Sequence, residues 1–203
     1  MNWPNGLTVA RLVLGPIVLV TLLSAGVRLS FFLFVIAMLT DLCDGYLARR
    51  SNRVTEFGKL MDPLADKVLV GLVLVGLVIL GLPYVPLWMV VTVLGRELLI
   101  LGCRTGVLKS GEGFVTSRIA KLKTAAQMIW IALILLYLSL PQTHRGDAAN
   151  DAAGLFNAVL WGIGVVVVAL TLVSGVEYLL NGRAVARAHG AAPASPGGGG
   201  GTP

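Results

Sequence analysis

Four aspartates carry the chemistry this chain is equipped to do. Asp41 and Asp44 stand three residues apart and Asp62 and Asp66 four apart, all within the stretch TDLCDGYLARRSNRVTEFGKLMDPLADK, residues 40–67. A spacing of three or four puts two side chains on one face of a helix, so each pair reads as two carboxylates projecting together. Four such groups gathered in one volume would repel and raise one another's pKa values. Divalent cations relieve that repulsion, and carboxylate oxygens suit Mg2+ or Mn2+. Two ions about 4 Å apart would make a two-metal phosphoryl-transfer site. Taken singly, each aspartate has an ordinary role open to it. Asp41 and Asp44 would mark a water interface, Asp62 would cap a helix ahead of Pro63, and Asp66 would pair with Lys67 or Arg49. All four at this spacing favour the metal site. Cys43 is a soft ligand poorly matched to hard cations; it and Cys103 read as reduced, small hydrophobic residues.

The elements that must position these carboxylates have membrane composition. The chain of 203 residues is 56% hydrophobic and 13% charged, with a mean hydropathy of +0.86. Soluble domains run at roughly 45–50% apolar and about 25% charged. A hydrocarbon core of about 30 Å takes roughly 20 apolar residues per helix. That predicts six spans at 7–26, 29–49, 62–82, 86–107, 120–140 and 155–180. The expected class is therefore all-α, a polytopic six-helix membrane bundle. Residues 1–182 would form the catalytic domain, and the Gly-, Pro- and Ala-rich residues 183–203 a disordered tail. The opening MNWPNGLTVARLVLGP has no basic segment before its apolar run and carries Arg11 inside it, so it reads as a retained first helix. The prolines of GLPYVP are expected to stop the third helix.

Alternating the spans leaves only Arg28 and Arg145, of 16 Lys and Arg, on one side. The positive-inside bias then places both termini, both basic loops and the acidic stretch in the cytoplasm, at the cell membrane. Those loops account for the net charge of +6 without nucleic acid. Trp3, Trp88, Trp130 and Trp161 are expected at the interface or facing lipid, and Gly102 and Gly106 form a small-xxx-small pair suited to helix packing.

The acidic stretch also resembles a known signature. Asp41-x-x-Asp44-Gly45-x-x-Ala48-Arg49, eight residues, then Gly58-x-x-x-Asp62-x-x-x-Asp66 matches the CDP-alcohol phosphotransferases without a gap, eight residue types in order across 26 positions. The resemblance implies six transmembrane helices, a homodimer, and transfer of a phosphatidyl group from a CDP-linked lipid to an alcohol with release of CMP. It implies that Asp41, Asp44, Asp62 and Asp66 hold two Mg2+ or Mn2+ ions, with Asp66 also taking the acceptor's proton. Asp41, Gly45, Ala48, Arg49 and Gly58, with Asn5 and Thr8, would hold the CDP-lipid. Small side chains at Gly45 and Ala48 let a nucleotide approach the backbone, and Arg49 can fork onto phosphate oxygens.

The acceptor must be read elsewhere. GRELLILGCR, SRIAKLKTAAQM and the opening PNGLTVARLVLGP resemble the phosphatidylglycerophosphate synthase branch, which implies sn-glycerol 3-phosphate as acceptor and CDP-diacylglycerol as donor. A phosphate dianion needs a basic pocket, for which Arg96, Arg104, Arg118 and Lys123 are the candidates. Arg96 lies in an apolar span, where an unpaired cation is costly; it would pair with Glu97 or an aspartate, or bind the phosphate. Cardiolipin synthases of the same superfamily, with phosphatidylglycerol as acceptor, are the nearest alternative. The dense cationic cluster favours the smaller dianion. A divalent-cation transporter would also need intramembrane carboxylates, but spread at mid-bilayer, whereas these cluster at one face beside Arg49.

Overall fold

The computed structural model describes the backbone of residues 3–51, 56–108, 118–140 and 147–190. Side chains are described for the same residues except 3–8, 25, 41–51, 56–63, 66, 103–108, 118, 147–153 and 181–190. The described residues fold into six α-helices and no strand: α1 Trp3–Val20, α2 Val27–Ser51, α3 Glu56–Ile79, α4 Leu87–Leu108, α5 Arg118–Ser139 and α6 Asp147–Gly190. Each of the six apolar runs read from the sequence falls largely on one of these helices.

Two glycines set the tight turns. After α1 the chain passes through a π-helical turn, Thr21–Ala25. It is closed by Gly26 N–H donating to the Thr21 carbonyl at 3.0 Å, with Gly26 at φ 120. Helix α3 stops at Gly81, whose φ of 67 lies in the left-handed region that glycine tolerates best. Its N–H donates to the Val78 carbonyl at 2.9 Å. The stop is thus the glycine; Pro83 and Pro86 come after it.

α1 lies along α3 and α2, α5 along α6 and α2, and α4 along α6. A Cβ at Gly15 would stand 3.3 Å from Leu69 Cα, and one at Gly76 would stand 2.8 Å from Leu19 and 2.9 Å from Leu22. Contacts advance together along both helices, so α1 and α3 run parallel. At one end of the bundle, Arg28 Nε at the start of α2 donates to the Ser139 carbonyl at the end of α5, at 3.0 Å. There Tyr137 also meets Tyr84 edge-on, with ring centres 6.1 Å apart, and stacks on Phe156 of α6 at 4.8 Å. The start of α2, the α3–α4 turn, the end of α5 and the start of α6 therefore share one end.

The outer surface is apolar. Leu29, Phe32, Ile36 and Leu39 are each about half exposed along one face of α2, and α6 presents Val159, Val166 and Val173. Exposed apolar area of this extent belongs against lipid rather than water. Two helices among the described residues are long and apolar enough to cross a membrane: Ile119–Ser139, mean hydropathy 1.6, and Gly154–Leu180, mean hydropathy 2.4. Shorter apolar helices cover Val9–Ser24, Val27–Thr40 and Lys67–Ile79. Together with the composition, this makes the chain a membrane protein.

Four details differ from the sequence reading. Helix α3 begins at Glu56, so Asp62 lies inside it and is not an N-cap; Glu56, Lys59, Leu60 and Met61 are good helix formers that extend it backward. Helix α6 continues to Gly190, into the stretch expected to be disordered. Low hydropathy there marks an exit from the apolar span, not the end of the helix, and Ala and Arg favour helix. Trp130 is fully buried, its Nε1 donating to the Leu160 carbonyl at 2.8 Å, so it is a core residue and not an interfacial anchor. A Cβ at Gly102 would meet nothing within 4 Å among the described residues, so no close helix contact is seen at that glycine there.

Gly164 performs the close packing instead. A Cβ there would stand 2.7 Å from Trp130 Cζ2 and 3.0 Å from Met89 Sδ. Gly164→Ala is expected to destabilise the protein by about 1–3 kcal/mol through overpacking, lowering its thermal midpoint in detergent. Gly162→Ala, where a Cβ meets nothing within 4 Å, should hold or raise the midpoint because Ala favours helix by about 1 kcal/mol. Equal effects at the two positions would contradict this account.

Candidate active site

The helical backbone runs unbroken through both aspartate pairs. Asp41 and Asp44 lie in α2, Asp62 and Asp66 in α3. Each pair thus keeps the helical spacing that puts it on one face. Their side chains lie outside the described residues, as do those of Gly45, Ala48, Arg49, Gly58, Asn5, Thr8, Arg104 and Arg118. The connection between the two helices is short, residues 52–55. With a rise of about 1.5 Å per residue, Asp44 sits about 10 Å before the end of α2 and Asp62 about 9 Å after the start of α3. The two pairs are therefore at matching distances from the helix ends that flank residues 52–55. Arg11 of α1 is 2% exposed and lies one helical turn before Gly15, which packs on Leu69. Because α1 and α3 are parallel, this buried residue is level with the helical turn of Asp62–Asp66.

The second half of the site is a charge cluster built on α4. Burying a carboxylate is costly unless it is paired, and Glu97 is 4% exposed. Three cations satisfy it. Lys67 of α3 donates through Nζ to Oε2, Lys123 of α5 donates through Nζ to Oε1, and Arg96 NH1 reaches Oε1 at 3.2 Å. Arg96 is itself anchored to α6, with NH2 donating to Ser174 Oγ at 3.0 Å. Its stem passes over Gly175, where a Cβ would stand 3.3 Å from Arg96 Cγ. The carboxylate thereby ties α4 to α3 and α5, and Arg96 ties α4 to α6, at the end of the bundle opposite the Tyr137 cluster. Beside it opens a cleft of about 10 Å³ lined by Lys67, Lys123, Thr124 and Gln127, room for one water.

Of the residues expected to bind the acceptor, Arg96 and Lys123 are brought together here. Lys123 is 1% exposed and engaged with Glu97. Lys67 and Glu97 were not among the expected site residues. Their signals are present in the sequence all the same: an acid inside an apolar span needs a cation, and Lys67 directly follows Asp66.

Comparison with known proteins now decides the family. The family model described as CDP-alcohol phosphatidyltransferase matches residues 1–176. The chain belongs to the CDP-alcohol phosphatidyltransferase family. It is 37% identical over 192 residues to a CDP-diacylglycerol–glycerol-3-phosphate 3-phosphatidyltransferase of Bacillus subtilis, covering 87% of this chain and 93% of that protein. Proteins of the same name from Rickettsia typhi, 35% identical over 181 residues, and Salmonella choleraesuis, 36% over 165, are similar across 87% and 79% of this chain and 94% and 90% of their own lengths. For a CDP-alcohol phosphatidyltransferase, both the carboxylate pairs and the cation cluster would have a use. Hard oxygen donors suit divalent ions beside a pyrophosphate, and fixed cations suit a phosphate.

Proposed function

We propose that this protein transfers the phosphatidyl group of CDP-diacylglycerol to sn-glycerol 3-phosphate, giving phosphatidylglycerophosphate and CMP. The observation that carries this reading is the similarity, over nearly their full length, to relatives named for that reaction. The cluster of Lys67, Arg96 and Lys123 around one carboxylate adds support for an acceptor bearing a phosphate.

The residues divide the work. Asp41, Asp44, Asp62 and Asp66 would hold two Mg2+ or Mn2+ ions, the all-oxygen donor set that those ions prefer. Bound there, the ions supply neutralising charge at the pyrophosphate. Arg49 would fork onto phosphate oxygens, with Gly45, Ala48 and Gly58 leaving room for the nucleotide beside Asn5 and Thr8. Asp66 accepts the proton of the glycerol hydroxyl as its oxygen attacks the lipid-linked phosphorus. The new P–O bond forms as the bond to CMP breaks, and CMP leaves with the electron pair. Lys123, Arg96, Arg104 and Arg118 bind the acceptor's phosphate. A direct displacement of this kind leaves no phosphatidyl group on the protein.

The same reading makes the chain a six-span, homodimeric protein of the cell membrane, with both termini and the site in the cytoplasm. Supporting it are the six helices and the 16 Lys and Arg, nearly all on one side of the alternating spans. The test is an acceptor screen. Purified protein with CDP-diacylglycerol and Mg2+ is offered glycerol 3-phosphate, phosphatidylglycerol, serine or inositol. CMP release is expected with glycerol 3-phosphate; release with phosphatidylglycerol alone would make the protein a cardiolipin synthase. No release with any acceptor, together with Mg2+ uptake into vesicles, would make it a transporter.

A further inference from the structure

Glu97 sits among the cations to which the proposed function assigns the acceptor's phosphate. Its two oxygens take Lys67 from α3 on one side, and Lys123 from α5 with Arg96 on the other. Lys123 is 1% exposed, and a buried cation is stable only against an anion. Something negative must therefore stand against Lys123 at all times. A phosphate monoester offers the same donors up to two charges and three acceptor oxygens, a stronger match than one carboxylate. The narrow cleft beside Glu97 is lined by both lysines and has room for about one water between the side chains as they stand. For a phosphate to take the lysine donors that point at Glu97, the carboxylate must move off them.

We infer that Glu97 is a resident anion holding the acceptor-phosphate position: it keeps Lys67 and Lys123 in place while the site is empty, and gives up at least one of them when the acceptor's phosphate enters. This deepens the proposed function and rests on its assignment of a phosphate-bearing acceptor to this cluster. It makes Glu97 a positioning and specificity residue. A neutral alcohol has no charge with which to displace the carboxylate, so such acceptors are turned away by the enzyme's own side chain. Ser174 and Gly175 hold Arg96 on α6, so the cluster's third cation stays fixed during the exchange.

The test measures inorganic phosphate binding to full-length protein in detergent, from the dependence of the thermal midpoint on phosphate concentration. A competitor that fills the site nine-tenths of the time weakens apparent affinity about tenfold. Glu97→Gln, which keeps the shape and loses the charge, is therefore expected to bind phosphate about tenfold more tightly. Glu97→Asp, whose shorter arm bridges the lysines poorly, should bind about threefold more tightly. The KM for glycerol 3-phosphate should fall in the same order while the KM for CDP-diacylglycerol stays within about twofold. A purely structural Glu97 would lower the midpoint without tightening phosphate binding. Unchanged or weaker phosphate binding in whichever variant folds overturns the inference, as does failure of both to fold. Tighter phosphate binding in the variants, with no CMP release from glycerol 3-phosphate by the wild type, would keep this inference and remove the proposed acceptor. Turnover of that acceptor with unaltered phosphate affinity does the reverse.

Discussion

Asp66→Asn is expected to lower kcat for CMP release by about 10³-fold, within the range lost when a positioned proton acceptor is removed. Asn has nearly the shape of Asp, and helix α3 runs through this position from Glu56 to Ile79, so the backbone should be undisturbed. On the proposed mechanism, what disappears is the negative charge that would accept the hydroxyl proton and complete the oxygen set. Asp62→Asn, four residues earlier on the same helical face, removes only the second of these functions. It should therefore raise the Mg2+ concentration needed for half-maximal rate, with part of the activity recovered at saturating Mg2+. Asp66→Asn should not recover. The measurement is initial CMP release against Mg2+ concentration for each variant, with the thermal midpoint as a check on folding. Turnover near the wild-type rate after both substitutions together would remove the carboxylates from the chemistry.

Lys123→Met should act on the other substrate. Met matches the length of the lysine stem and tolerates burial. Glu97 keeps Lys67 and Arg96 as partners, so the charge cluster survives. A lost hydrogen bond to a charged group is worth about 1.5–3 kcal/mol, which is about 10- to 150-fold in affinity. The KM for glycerol 3-phosphate is expected to rise by that factor, with the KM for CDP-diacylglycerol within about twofold of wild type. Steady-state kinetics with each substrate varied in turn read the difference. A lower thermal midpoint with both KM values unchanged would assign Lys123 to the fold alone. Because Lys123 and Glu97 are in contact, their effects should not add, and the double variant Lys123→Met with Glu97→Gln should fall short of the sum.

Much of this protein can be read directly along the chain, because the relevant signals are local. A helix that faces lipid needs a run of apolar residues and little else, so six such runs located six helices. The carboxylate signature was legible for a similar reason: its members sit at helical spacings on two consecutive helices joined by residues 52–55. The errors fell where a run of sequence has two physical meanings. Trp130 has the amphipathic ring of an interfacial anchor, yet Gly164 of α6 offers it a socket and the Leu160 carbonyl an acceptor. Residues 183–190 lose hydropathy but keep helix-forming Ala and Arg.

The amino-acid sequence by itself thus determined the helices, the family and the two carboxylate pairs, because each depends on residues within a few turns of one another. Only the tertiary structure decided which cations meet which anion. Lys67 and Lys123 lie 30 and 26 residues from Glu97, and Ser174 lies 78 from Arg96. No periodicity along the chain encodes those pairings. They arise because α3 and α6 each pack against both α4 and α5, which brings the polar ends together, and a buried carboxylate there accepts whichever cations that packing delivers.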